Sequence, residues 1–302
     1  MESALERLPF GARICVIRLR SLGDCVLTTP ALRLLKGSRP DVRLSIVVEP
    51  RFAAVFSHNP DIDSVLEPGI AAIYKTKPDF VLNLHGGTSS ILLTLASRAK
   101  LRAGFAHFRA QVAYNIQIPT AQEILGVDRK VHTAEHLASA MFYLGVPQDS
   151  IPRARLYPRP AGRPRPYAIL HPFASKPEKS WPSERFLGIA RAIEAMGIQP
   201  LILCGPGEDP TPFPGVQTLR DLPLDQAIDI IGSAAMFVGN DSGPAHIAAA
   251  CAIPSVVLFG GSDPVIWAPW KAPETTQIVR SHVSDIQVED VLAALDTIRV
   301  RS

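Results

Sequence analysis

Short apolar runs alternate with amphipathic or small-residue stretches along nearly the whole chain. Arg13 to Leu19 (RICVIRL), Arg43 to Val48, Asp79 to Leu84, Tyr167 to His171, Pro200 to Cys204, Ala234 to Val238 and Ser255 to Phe259 are predicted to be buried strands. Between them, helical spacing predicts helices over Val26 to Lys36, His85-Gly86-Gly87-Thr88 to about Ala99, Val131 to Leu144, Ser183 to Met196 with Ser183 as N-cap, Leu224 to Ser233, and Val288 to Arg299. Phe52 to Ser57 reads as a short helix, and Asp63 to Leu66 and Gln277 to Val279 as further strands. Ala103 to Ile118 is less regular. Strands and helices in this alternation specify an α/β fold, a parallel sheet with helices on both faces.

The densest chemistry lies in Val238 to Pro264, VGNDSGPAHIAAACAIPSVVLFGGSDP. A strand ends, Gly239 and Asn240 turn the chain, Ser242 caps a helix with Pro244 near its first turn, and Pro254 stops that helix before the next strand. Free N–H groups in such a first turn, beside Ser242 and Gly243, suit a phosphate or diphosphate.

A length of 302 residues suggests two domains. Composition changes at Ile151 to Pro166, which holds five prolines and five arginines and reads as a semi-rigid linker. The expected division is therefore 1–150, linker 151–166, and 167–302, with the last helix a candidate to pack back across the linker. Two doubly wound domains in tandem imply a ligand cleft between them at the C-terminal ends of the strands. The net charge of +3 is too mild to argue for nucleic acid. Cys15, Cys25, Cys204 and Cys251 form no CxxC pair, which fits reduced thiols and a cytoplasmic setting. MESALERLPF carries no signal-peptide core, and the longest apolar tract is broken by Pro254 and falls short of the ~18 residues of a membrane span.

Three further loops join the NDSGPAH turn at predicted strand ends: RSLGD at 20–24, SKPEKSWP at 175–182 and GPGE at 205–208. With SLGDCVLTTPAL, HPFASKPEKSWPSERF and NDSGPAHIAAACAIPSVVLFGGSDPVIWAP, the chain resembles the ADP-heptose:lipopolysaccharide heptosyltransferases, glycosyltransferase family nine, over roughly residues 13–270. The resemblance implies a GT-B fold, two Rossmann-like domains facing each other across a cleft. It also implies inverting transfer from an ADP-sugar to a lipopolysaccharide core acceptor of the lipid A-Kdo type. Asp24 matches the family's general base, Lys179 its phosphate-contacting lysine, Asp241 a group near the donor sugar, and His246 one beside the diphosphate.

The residues by themselves support the same chemistry. A carboxylate at the mouth of the first βα turn, Asp24, is placed to take a proton from an acceptor hydroxyl, although it would also cap its helix. Ser242, Gly243, Lys179 and Lys176 supply fixed donors and positive charge for a leaving diphosphate, so no metal and no other cofactor is required. Glu208 can accept from ribose hydroxyls. Arg20, Ser21, Gly23 and Arg102 are placed on the acceptor side, and selectivity is expected between Ala103 and Arg129. A lipid acceptor would bring a monomer into peripheral contact with the cytoplasmic face of the inner membrane, using basic and apolar surface.

Other readings compete. Asp61-Ile62-Asp63 has DxD metal spacing, but its context reads as a turn entering an edge strand with Ile62 and Val65 inward. His132-Thr133-Ala134-Glu135-His136 fits the H-x-x-E-H zinc-peptidase pattern. Arg20 to Asp24 contains one glycine rather than the three of a dinucleotide fingerprint, against a dehydrogenase. A non-catalytic nucleotide-sugar binding module would keep the phosphate turn and have no need of Asp24.

Overall fold

The computed structural model describes residues 2–163 and 166–300, without the side chains of 299 and 300. Pro164 and Arg165 of the proline- and arginine-rich stretch lie outside the described residues. The chain divides into two compact units, Met1–Arg155 and Leu156–Ser302.

The first unit contains β1 (Arg13–Ile17), α1 (Leu22–Ser38), β2 (Arg43–Val47), β3 (Ser64–Leu66), α2 (Ile70–Thr76), β4 (Phe80–Asn83), α3 (Thr88–Ala96), β5 (Leu101–Phe105), β6 (Ile116–Ile118), α4 (Ala121–Leu125) and α5 (Thr133–Leu144). Its six strands lie in the order β3-β2-β1-β4-β5-β6, all parallel. Alternation along each strand sends Cys15, Ile17, Val47 and Val81 to one face, where Ile73 of α2 and Leu93 of α3 cover them. Ile14 and Val16 go to the other face, and α1 and α5 pack on each other there. Helix α1 runs through Pro30, which has no N–H to offer the carbonyl of Val26; the Thr29 hydroxyl donates to that carbonyl instead, at 2.8 Å.

The second unit contains β7 (Tyr167–His171), α6 (Ser183–Ala195), β8 (Gln199–Cys204), β9 (Gln217–Arg220), α7 (Leu224–Gly232), β10 (Met236–Asn240), α8 (Gly243–Ala250), β11 (Ser255–Phe259), α9 (Pro264–Trp267), β12 (Thr275–Val279) and α10 (Val288–Val300). The order is β12-β11-β10-β7-β8-β9, again all parallel. Counted from β3 in the first sheet and from β9 in the second, both sheets follow the doubly wound pattern 3-2-1-4-5-6, whose direction of winding reverses beside the first strand. In the first unit that point lies between β1 and β4, in the second between β7 and β10. Ligands of such sheets bind at the C-terminal strand ends beside this point.

Helix α10 packs on α6 within the second unit's core. Val291, Leu295 and Ile298 join Phe186, Ile189 and Ile193 of α6 in one core under the sheet. Gly260, at the end of β11, permits a close approach there. A Cβ on it would stand 2.0 Å from the Val283 backbone nitrogen and 2.5 Å from its Cα, neither of which can swing aside. Gly260→Ala is expected to destabilise the chain by about 3 kcal/mol, the upper range for overpacking. Chemical denaturation measures this, and an unchanged midpoint would contradict the close approach.

Several boundaries differ from the sequence expectation. Strand β10 continues through Gly239 and Asn240, so the turn falls on Asp241 and Ser242. Ser183 is the first helical residue of α6 and Pro182 occupies the cap position, so Ser183 does not cap. The irregular region from Ala103 holds most of β5 and all of β6, too short for periodicity to reveal. Val65 is exposed rather than inward, because β3 is an edge strand with an open face. The proline- and arginine-rich stretch has no helix or strand in its described part, yet it is packed: Ile151 and Ala154 are buried, as is Leu156, whose N–H donates to the carbonyl of Ala250. Among the described residues no helix is long and apolar enough to cross a membrane.

Candidate active site

In the first unit the switch point is built by the loops after β1 and β4. Arg18 follows β1 and is buried, which a sequence reading of RICVIRL as a plain apolar strand overlooks. Its guanidinium meets Asp24 Oδ1 at 2.6 Å and donates to the carbonyl of Leu84 at 2.5 Å, tying the two loops together. Asp24 sits in the first turn of α1, and its Oδ2 accepts from the Ser21 backbone N–H at 3.2 Å and from the Ser21 hydroxyl at 3.0 Å. The capping role is therefore real, and it coexists with a charged partner on the other oxygen. A carboxylate has about four lone-pair sites, and that of Asp24 remains 23% exposed, so it can still accept from an incoming hydroxyl.

Across the switch point, Asn83 ends β4 fully buried. Its Oδ1 accepts from the N–H groups of His85 and Gly86, and its Nδ2 lies 3.0–3.1 Å from Ser90, Thr94 and Tyr114 hydroxyls. This network holds the His85-Gly86-Gly87 turn beside Arg18. Burial lowers the basicity of His85, and the positive charges of Arg18 and Arg20 lower it further. Gly86 has φ +76°, and a Cβ on it would strike the Phe108 ring at 2.5 Å.

Of the acceptor-side residues expected from sequence, Ser21 and Gly23 flank Asp24 in this turn, and Arg20 stands 3.9 Å from Glu49 at the end of β2. Arg102 does not belong with them. It is the second residue of β5, paired with Val81, and so lies toward the N-terminal edge of a parallel sheet whose site is at the C-terminal edge. Its guanidinium donates to the carbonyls of Ala99 and Ala113 and braces that end of the sheet.

In the second unit, loops after β7, β10 and β11 converge. Asn240, fully buried at the end of β10, donates to the carbonyl of Pro172 at 2.8 Å and accepts from the Trp181 N–H at 3.1 Å. Trp181 is itself buried, stacks edge-on to Phe186 and donates through its indole to Ile286. The 172–182 loop is thereby anchored at both ends, which positions Lys179. Its ammonium lies 2.8 Å from Asp241 Oδ2, which also accepts from the Ser262 hydroxyl at 2.6 Å. An ammonium has three N–H bonds, so Asp241 orients Lys179 while leaving donors for an anion.

Beneath this cluster α8 begins. Gly243 is its first residue, Ser242 its cap, and the Ser242 hydroxyl oxygen is shielded from solvent with no hydrogen-bond partner among the described residues. A buried hydroxyl without a partner is costly, and one at a helix N-terminus waits for an acceptor. His246 is buried one turn further along α8. Lys176, on the same loop as Lys179, is exposed and 3.8 Å from Glu178.

Glu208 follows β8. Its Oε2 accepts from the Gly205 N–H at 2.7 Å, and Oε1 lies 4.0 Å from Nε2 of His171, a residue at the end of β7. The His171 Nδ1 lies 3.0 Å from the carbonyl of Leu203. Burial lowers the basicity of His171, opposed by the Glu208 charge. His171, Ser262, Arg18 and Asn83 all stand in or beside apolar runs, and only their polar character within such runs could have drawn attention to them.

The competing motifs are used structurally. Asp63 binds Lys36 at 3.0 Å and the Leu44 N–H at 2.7 Å. His132 is not on the face of α5: it is the cap residue, with extended backbone, and its Nδ1 accepts from the Ala134 N–H. Glu135 is held below its usual carboxylate range by hydrogen bonds from Arg129, and burial pushes His136 down to about 4. The two histidines therefore do not form the i, i+4 pair that a zinc peptidase presents.

The profile of glycosyltransferase family 9 (heptosyltransferase) matches residues 71–291. The chain belongs to glycosyltransferase family 9. Among relatives, lipopolysaccharide heptosyltransferase 3 of Escherichia coli (strain K12) is 26% identical over 331 residues, covering 92% of this chain and 95% of that one. The solved glycosyl transferase family 9 from Veillonella parvula DSM 2008 superposes with a TM-score of 0.85 at 22% identity, covering 96% and 98%. The E. coli heptosyltransferase WaaC with ADP gives 0.77 at 19% identity, covering 95% and 99%. These likenesses identify both units as the Rossmann-like domains of a GT-B fold, and family membership makes the protein a glycosyltransferase.

Proposed function

We propose that this family 9 member transfers heptose from ADP-heptose to a lipopolysaccharide core acceptor, with inversion and without a metal. The observation that carries the reading is the cluster of Lys179, Asp241 and Ser262 above the unpartnered Ser242 hydroxyl at the start of α8. It presents fixed donors and one oriented cation where a diphosphate needs them, at the switch point of its sheet.

In the proposed step the acceptor hydroxyl attacks the anomeric carbon and gives its proton to Asp24. The new carbon–oxygen bond forms on the face opposite the breaking bond to the β-phosphate oxygen, and ADP leaves with that electron pair. Ser242, the Gly243 N–H and Lys179 receive the growing negative charge. Arg18 and Ser21 hold the Asp24 carboxylate in place, and Glu208 is assigned to the ribose hydroxyls. A lipid-linked acceptor supports assigning the enzyme, taken as a monomer, to the cytoplasmic face of the inner membrane.

Thermal shift with nucleotides tests the donor assignment. ADP at one hundred times its Kd is expected to stabilise the protein by about 2.7 kcal/mol. UDP, GDP and NAD should give smaller shifts, and a chelator should change none of them. A UDP preference would overturn the donor assignment. Recovery of binding only on adding a divalent cation would overturn metal independence.

A further inference from the structure

The outer surface of the first unit carries a feature that donor and acceptor chemistry do not use. Ile70 and Tyr74 on α2, Leu92 and Leu95 on α3, and Val112 in the turn after β5 are between 46% and 87% exposed. The spacing is helical, i and i+4 on α2, i and i+3 on α3, and the same two helices bury Ile73 and Leu93 against the sheet on their inner sides. The two helices contact each other, and the turn containing Val112 contacts α3, so the exposed side chains are carried by adjoining elements. Arg98, just past the end of α3, lies over the Tyr74 ring of α2 at 5.4 Å.

Charge along this segment is predominantly basic. Residues 67–123 contain Lys75, Lys77, Arg98, Lys100, Arg102 and Arg109 against three carboxylates, Glu67, Asp79 and Glu123. The Asp79 carboxylate is 3.7 Å from Arg13 and accepts from its backbone N–H. Arg102 is held by backbone carbonyls, which leaves Lys75, Lys77, Arg98, Lys100 and Arg109, all exposed, around the apolar side chains.

We propose that the α2–α3 face docks on an anionic lipid bilayer, its leucines, isoleucine and tyrosine entering the headgroup boundary and its lysines and arginines pairing with lipid phosphates. Apolar side chains ringed by Lys and Arg are the pattern of interfacial helices. A second copy of the chain is the wrong occupant, since a twofold contact would set this basic face against itself. The inference rests on the proposed lipid-linked acceptor only for its purpose; the surface itself is read from burial and charge.

Co-sedimentation with vesicles of phosphatidylcholine, with and without phosphatidylglycerol, tests it. The whole protein should bind the mixed vesicles, release in high salt, and ignore pure phosphatidylcholine. Each basic side chain near an anionic surface contributes roughly five-fold to partitioning, so Lys75→Glu with Lys100→Glu should reduce binding at least 25-fold. Leu92→Ser with Leu95→Ser should reduce it by about ten-fold or more. ADP thermal shifts on the same samples should be unchanged in both variants, which shows that they fold. Equal vesicle binding by the parent and both variants, or no binding by the parent, would overturn the proposal even if the ADP response is intact. So would a dimer in solution that the leucine variant dissolves. Loss of the ADP response in the parent would instead overturn the donor reading and leave the docking face standing.

Discussion

Asp24→Asn is expected to lower the transfer rate at saturating donor by about two to four orders of magnitude, the usual worth of a positioned general base, with ADP affinity unchanged. The amide can still accept from the Ser21 N–H through its oxygen, so helix α1 keeps its first turn. If Asp24 only capped the helix, the cost would be about 0.3 to 1 kcal/mol of stability and no more than a few-fold in rate. The substitution also leaves Arg18 buried with Leu84 as its remaining partner, and breaking a buried ion pair by removing one member commonly costs about 3–5 kcal/mol. Stability and rate must therefore be separated. Arg18→Met combined with Asp24→Asn should regain much of the stability while transfer stays lost. Recovery of both together would mean that Asp24 acts only through the fold.

Lys179→Met is expected to weaken ADP binding by about ten- to one-hundred-fold, in line with about 1.5–3 kcal/mol for a hydrogen bond from a charged donor. The loss has two sources. One donor to the diphosphate disappears, and the buried carboxylate of Asp241 is left with Ser262 as its described partner, a negative charge facing an anionic ligand. Adding Asp241→Asn should relieve the second source and recover part of the affinity. Calorimetric titration of ADP reads both variants. An unchanged Kd in Lys179→Met, with a lowered melting temperature, would reduce Lys179 to a tether for its loop.

Sequence pattern reached the architecture because long apolar runs and helical spacing are properties of local segments. The four strand-end loops were legible for the same reason: SLGD, SKPEK, GPGE and NDSGPAH are polar or glycine-rich interruptions beside apolar runs. Of the four edge strands, β3 and β12 were legible as short apolar runs and the other two were not. Strands β6 and β9, of three and four residues, are exposed on at least one side and carry no sustained apolar signal. The supports of the site were hidden differently. Arg18 and Asn83 sit at the ends of apolar strands, and only the parallel register β1–β4 shows that both face the same switch point. His171 and Ser262 acquire meaning through Glu208 and Asp241, which lie 37 and 21 residues away along the chain. Arg102 shows the opposite error, since an arginine near a promising loop in sequence lies toward the far edge of the sheet in space.

The proposed reaction moves a sugar from an ADP donor with the chain's own side chains alone. The direct measurement is transfer of labelled heptose from ADP-heptose to a heptose-deficient lipopolysaccharide core acceptor, run in excess chelator, with the anomeric configuration of the product determined. The expected product has inverted configuration, forms at the same rate with and without chelator, and is lost in Asp24→Asn. A product of retained configuration, activity that returns only with added metal, or no transfer from ADP-heptose at all would contradict the proposed reaction.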